Sequence, residues 1–327
     1  MKVIDMHCDT ISELQNVGMH QNLNKNELCV DLERLRKSET WIQYFACFTD
    51  AGKYSSGGGY GEKFSHEVWE KAWTEIIMLL DSLKGEESEQ FQIFHTRKEA
   101  EQCKHIVYGL ATVEEGGVLN GKMERLEQLY ERDVRLITLT WNYENCIGYP
   151  NSRERAVMER GLKPFGIDVI EQMNEQKMLI DVSHLSDGGF WDCIHHSKTP
   201  VIASHSNARA LCYHPRNLSD EMLRALSEKG GVAGLNFYPF FLKTDGQVVV
   251  ADIARHAKYM IKTAGEDVVA LGTDFDGFET DIREGYISHV GQMELVWDAC
   301  KAAGITERQL EKICWKNAWR VMKDVLK

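Results

Sequence analysis

No apolar run in this chain approaches the roughly 18 residues that cross a bilayer, so no membrane-spanning helix is expected. Basic residues are also scarce: 38 Lys and Arg stand against 50 Asp and Glu, for a formal net charge of −12. That balance argues against non-specific binding to nucleic acid or anionic membrane, both of which need basic patches. C-x-x-C spacing is absent from the nine cysteines, which cannot all pair within one chain. Most of them lie in apolar runs such as "YFACF" or beside aromatics as in "KICWKNAW", the pattern of a reducing compartment. The opening "MKVIDMH" reaches acidic and polar residues before an h-region can form, so no signal peptide and a cytoplasmic location are expected. No Pro/Ser-rich linker, fixed-period repeat or composition shift divides the chain, and a single domain over residues 1–327 is the expectation.

What is present is a rhythm. Eight apolar runs begin at Val3, Trp41, Ile106, Val134, Met178, Pro200, Gly231 and Val268. Between them lie helical patterns, such as the face formed by Val68, Trp69, Ala72, Trp73, Ile76, Ile77 and Leu80. Pro164 sits near a second helix start, and Ser219 precedes a third that ends in glycine. Strand and helix in strict alternation give a parallel sheet, and eight strands close it into an α/β (β/α)8 TIM-type barrel. A chain of 327 residues suits that fold, which commonly runs to about 250 residues and can exceed 400. The Gly- and Ser-rich stretch "TDAGKYSSGGGYGEKF" lacks phosphate-loop spacing and is expected to be a loop over the barrel mouth.

The last residues of the runs are chemically unlike the rest. They are His7 and Asp9, Glu114 and Glu115, Thr140 and Trp141, His184, His205, Asn236 and Tyr238, and Asp274. A closed barrel gathers its strand ends at one rim, where the active sites of this architecture lie. Taken singly, a histidine at a strand end is usually a hydrogen-bonded polar residue, and His66, His95, His195, His196, His214 and His289 are read that way. Asp274 alone could cap the following helix. Together, three histidines and at least three carboxylates without a thiolate suit zinc, and less specifically manganese, iron or cobalt. They are too many for one catalytic zinc, which keeps about three protein ligands, so two divalent metal ions are expected.

The segments "DMHCDT", "VEEGG", "DVSHLSD", "VIASHSNAR", "HPRNLSD" and "LGTDFDG" resemble, in order and spacing, the renal (membrane) dipeptidase family, zinc peptidases of the amidohydrolase superfamily. The resemblance runs from the first strand to at least the eighth, and "KICWKNAWRVM" is similar to the family's closing helix. It implies that His7 and Asp9 bind one zinc, that His184 and His205 bind the other, and that Glu114 bridges them, with Glu115 the runner-up. It further implies that Arg216 holds the substrate carboxylate, a task that suits a guanidinium fork. Where well-studied members carry a histidine after the fourth strand, this chain has Trp141; Trp141, Asn142 or Tyr143 then helps hold the oxyanion, or the second zinc does so alone. Tyr238 joins the expected substrate contacts. The reaction implied is hydrolysis of a free dipeptide by a hydroxide shared between the metals, with Asp274 as general acid and base. A homodimer is also compatible with the resemblance. The rival readings are another metallohydrolase, a phosphoesterase or deaminase, and a non-catalytic metal-binding barrel.

Overall fold

The computed structural model describes residues 1–16, 21–55, 63–102, 106–279 and 285–327. Nine parallel strands occur among them: β1 (Val3–Asp5), β2 (Thr40–Phe48), β3 (Phe91–Ile93), β4 (Val107–Glu114), β5 (Val134–Thr138), β6 (Leu179–Asp181), β7 (Ile202–Ala203), β8 (Val232–Leu235) and β9 (Val269–Leu271). Eight of them close a barrel in the order β1, β2, β4, β5, β6, β7, β8, β9, with β9 returning to β1. The eight runs read from the sequence are these eight strands. The ninth, β3, is an addition that lies along the first residues of β4. Its three residues give too short a pattern to stand out between polar neighbours.

The strands are apolar throughout because both faces are covered. Inward-facing residues recur with period two, as Tyr108 and Leu110 on β4, Leu136 on β5, Leu179 on β6, Ile202 on β7 and Val232 on β8, and they form one buried cluster. Trp319 and Met322 of the last helix, Asn317–Val325, belong to that cluster, and Trp319 packs on Trp41 with ring centroids 4.5 Å apart. The opposite face of the strands meets the surrounding helices in a second, larger core. Helix His66–Gly85 contributes Val68, Trp69, Ala72, Ile76, Leu79, Leu80 and Leu83 to burial, with Trp73 and Ile77 only half-buried at its flank. Pro164 opens helix Pro164–Gln176, and the Ser219 hydroxyl caps helix Asp220–Glu228 by accepting from the Met222 N–H at 3.2 Å.

Towards the C-terminal end of each strand the inward alternation passes from apolar to polar: Leu110 to Thr112 and Glu114, Leu136 to Thr138, Leu179 to Asp181, Ile202 to Ser204. Register places Glu114 opposite Thr138 and Thr138 opposite Asp181. One end of the barrel is therefore a hydrocarbon plug and the other a ring of hydrogen-bonding groups. Of the Gly- and Ser-rich stretch after β2, Ala51–Tyr54 forms a 3-10 turn, while residues 56–62 lie outside the described residues.

Candidate metal centre

Within the polar ring, Glu114 occupies the middle. Its Oε2 lies 3.3 Å from His7 Nε2, which is itself 3.3 Å from Asp9 Oδ2. Its Oε1 lies 3.1 Å from His184 Nε2 and 3.6 Å from His205 Nε2, and those two nitrogens are 3.0 Å apart. Each carboxylate oxygen thus faces a different pair of donors. Asp274 stands beside the first pair, with Oδ1 3.7 Å from His7 Nε2. Glu115 turns away. Its oxygens accept from the N–H groups of Gly117 and Trp141 and from Asn145 Nδ2, and burial pushes its carboxyl up to about 7.

The electrostatics call for a cation. His7, Asp9, Glu114 and His205 are all at most 5% exposed, and charged groups are rarely buried without compensation. Burial works against charge on His7, yet the Glu114 and Asp9 carboxylates outweigh it and hold the imidazole well above its usual range. Burial also disfavours the Glu114 carboxylate, but His7 and His184 outweigh it and hold the carboxyl well below its usual range. Burial, then His7 and Arg216, push His205 well below its usual range, while burial and Arg216 bring His184 to about 3. Those two histidines therefore present lone pairs. His7 Nε2 and Glu114 Oε1 are fully buried without a hydrogen bond among the described residues. Three overlapping triads, His7–Asp9–Glu114, Glu114–His184–His205 and His7–His205–Asp274, each bring their donor atoms within 4.8 Å of one another. Nitrogen and oxygen donors in this arrangement fit divalent cations. Cys8 is not among them: its Sγ donates to the Tyr44 carbonyl at 3.4 Å.

Local backbone serves this geometry. His184 and Asp274 adopt left-handed φ values of 66° and 63°, which cost free energy in non-glycine residues and concentrate at functional sites. Behind His205 runs a buried chain that sequence reading missed. The ring's Nδ1–H donates to Ser204 Oγ at 2.6 Å, and that hydroxyl donates to Asp181 Oδ2 at 2.5 Å. Asp181 also accepts from Thr138 Oγ1 and from the N–H groups of Ser183 and Ser204. With its Nδ1 protonated in this way, His205 directs the Nε2 lone pair at the cluster. Asn236 Nδ2 donates to Asp274 Oδ2 at 2.8 Å and fixes that carboxylate. The signal for Asp181 and Ser204 was a polar side chain inside an apolar run, one step before or three before a histidine.

The expected substrate contacts Arg216, Trp141, Asn142 and Tyr238 line a cleft of about 930 Å³ that the cluster floors. Arg216 is buried, with its guanidinium over the Phe241 ring and its NH2 groups 3.4 Å from Ser206 Oγ and the His205 carbonyl. Trp141 packs between Phe48 and Tyr143 and near His184, at centroid distances of 4.8, 5.7 and 6.2 Å. Tyr143 is directed elsewhere, its hydroxyl donating to Asp50 at 2.8 Å. His214, read as an ordinary polar histidine, also lines the cleft.

A (β/α)8 barrel whose strand ends gather imidazoles and carboxylates around a deep cleft defines a metal-dependent hydrolase scaffold. The sequence model described as "Membrane dipeptidase (Peptidase family M19)" matches residues 1–327. An uncharacterised protein from the pqqA 5′ region of Klebsiella pneumoniae is 36% identical over 77% of this chain and 95% of its own length. An uncharacterised dipeptidase of Schizosaccharomyces pombe is 27% identical over 98% of this chain and 80% of its own. The fold is also that of a Rhodobacter sphaeroides metallopeptidase solved with a phosphinate mimic of the dipeptide L-Ala-D-Ala: TM-score 0.83, 23% identity, 99% of each chain. The chain belongs to the membrane dipeptidase family, peptidase family M19, and its reaction is metal-dependent hydrolysis of dipeptides.

Proposed function

We propose that the protein is a zinc dipeptidase in which His7 and Asp9 would hold one ion, His184 and His205 would hold a second, and Glu114 would serve both sites. The observation that carries this reading is the division of Glu114, one oxygen toward each pair of donors. When bound, such a pair of ions lowers the pKa of water and polarises a carbonyl.

The remaining work falls to side chains. Burial pushes Asp274 up to about 6, countered by His7, so at neutral pH it is ionised and only weakly acidic in its protonated form. A carboxylate of that strength can take a proton from the attacking water and return it to the leaving amine nitrogen. Asn236 keeps it aimed throughout. Arg216 clamps the α-carboxylate of the C-terminal residue beside Phe241 and Tyr238, and Trp141 and Asn142 line the same cleft and contact the substrate there. Holding the terminal carboxylate one residue beyond the scissile bond is what restricts the substrate to two residues. We further place the enzyme in the cytoplasm as a single domain acting on free dipeptides; the eight described cysteines are all free thiols, as a reducing compartment requires.

Metal quantification combined with a screen of L,L and L,D dipeptides, with and without a chelator, tests the reading. The expected result is two equivalents of zinc, dipeptide hydrolysis that the chelator abolishes, and loss of both bound metal and activity in Glu114→Gln. Activity that survives chelation, or a Glu114→Gln variant with full metal content and full rate, would overturn it.

A further inference from the structure

Beside the cleft lies a side cavity of about 430 Å³ lined by Arg153, Tyr213, His214, Tyr238, Phe240 and Thr244, and four of these, Arg153, His214, Tyr238 and Phe240, also line the main cleft. The lining of the side cavity is chemically one-sided. It offers a guanidinium, an imidazole and three hydroxyls, and no carboxylate. The main cleft, by contrast, carries Asp9, Glu13, Glu114, Glu154, Asp274, Asp276 and Glu279, in a chain of net charge −12. Glu154, the sequence neighbour of Arg153, faces the main cleft and not the side cavity.

Arg153 is exposed at the junction of the two spaces, and no ion pair or hydrogen bond engages its guanidinium among the described residues. The nearby Arg209 is different, held bidentate on Asp187 by two 2.7 Å hydrogen bonds. His214 is pushed down to about 4 by burial and then by Arg216, Arg153 and Arg209, so at neutral pH it adds no charge of its own. A guanidinium without a partner, set among hydroxyl donors, is suited to accept a carboxylate through charge-assisted hydrogen bonds.

Position decides which carboxylate. Arg216, His214 and Tyr238 line the main cleft together, and His214 and Tyr238 also line the side cavity, so a C-terminal residue held by its carboxylate on Arg216 would have that shared wall within reach of its side chain. We propose that this cavity receives the C-terminal side chain and that Arg153 selects acidic ones, so that dipeptides ending in aspartate or glutamate are preferred. The inference rests on the dipeptidase reading with Arg216 at the α-carboxylate.

The test compares kcat/KM for Ala-Glu and its neutral isostere Ala-Gln, with Ala-Ala as reference, in the metal-loaded wild type, Arg153→Gln and Arg153→Glu. The wild type is expected to favour Ala-Glu by about five- to tenfold, mostly through KM, with the preference shrinking as salt rises. In Arg153→Gln the ratio collapses to about one, and in Arg153→Glu it falls below one. Cleavage of both substrates with a wild-type ratio near one, or a ratio that persists in Arg153→Gln, would overturn the inference while leaving the dipeptidase reading intact. Failure to cleave Ala-Ala, Ala-Gln and Ala-Glu alike would overturn both.

Discussion

Asp274 differs from the other acids of the cluster in being gripped from behind by an amide, Asn236, while its second oxygen faces the reaction space. Replacing it with Asn keeps the shape and removes the proposed base. Asp274→Asn should lower kcat by about 10² to 10⁴-fold with near-normal metal content, as measured by steady-state kinetics and metal analysis on the same preparation. Asp181 calls for the opposite outcome, since it reaches the cluster indirectly, through Ser204 and His205. Asp181→Asn should weaken metal binding by about 10 to 100-fold in competition with a chromophoric chelator, while kcat at saturating metal stays close to wild type. A fall in kcat at unchanged affinity would contradict this positioning role. The difference between the two aspartates also marks what could be read in advance. His7, Asp9, Glu114, His184, His205 and Asp274 end their strands, and a barrel brings strand ends together whatever the details. Asp181 meets Ser204 across 23 positions and Asn236 meets Asp274 across 38, and no local pattern encodes such a partner.

Among elements, the eight barrel strands were legible because burial on both faces leaves an unbroken apolar run, whereas β3 was lost because three residues carry too little pattern. Close approach between β7, β8 and β9 was equally hidden. A Cβ on Gly272 would stand 1.7 Å from the Ser204 carbonyl oxygen, a backbone atom directly before His205 that has no room to retreat. Gly272→Ala should therefore cost about 3 kcal/mol or more in denaturant unfolding. Gly85, at the end of helix His66–Gly85, has nothing within 4 Å of such a Cβ, and Gly85→Ala should stay within about 1 kcal/mol of wild type. Helix Val250–Ala264 is tied to its neighbours by His256, whose Nδ1 accepts from the Ala208 N–H at 3.2 Å and whose Nε2–H donates to the Leu242 carbonyl at 3.1 Å. Burial pushes this imidazole down to about 4. Because the folded value lies below the ordinary one of about 6.5, the unfolded chain binds the extra proton, and the associated stability is complete above about pH 6.5 and lost as pH falls toward 4. The loss amounts to at most about 3 kcal/mol. Urea unfolding at pH 7 and pH 5 should show a smaller acid-side loss in His256→Gln than in the wild type.

For the protein entire, the parallel barrel and its polar rim followed from counting alternating runs, and the family from six segments in series. The side cavity did not, because Arg153, Tyr213 and Thr244 lie on loops whose paths no periodicity dictates. The cluster of imidazoles and carboxylates has a further expected effect on stability as a unit. A ligand that binds only the folded state adds about 4 kcal/mol at a thousand times its dissociation constant. Stripping metal with a chelator should accordingly lower the melting temperature by several degrees, with recovery when zinc is restored. An unchanged melting curve would mean that the cations contribute nothing to the folded state.

The joint between β1 and β9 is where the ring of strands closes, and the cluster sits across it. Asp5 accepts from Thr273, 268 positions away, and the His7 carbonyl accepts from the Asp274 N–H, so donors from segments far apart in sequence stand side by side at that seam. A cation held among them would act as a buckle across the join.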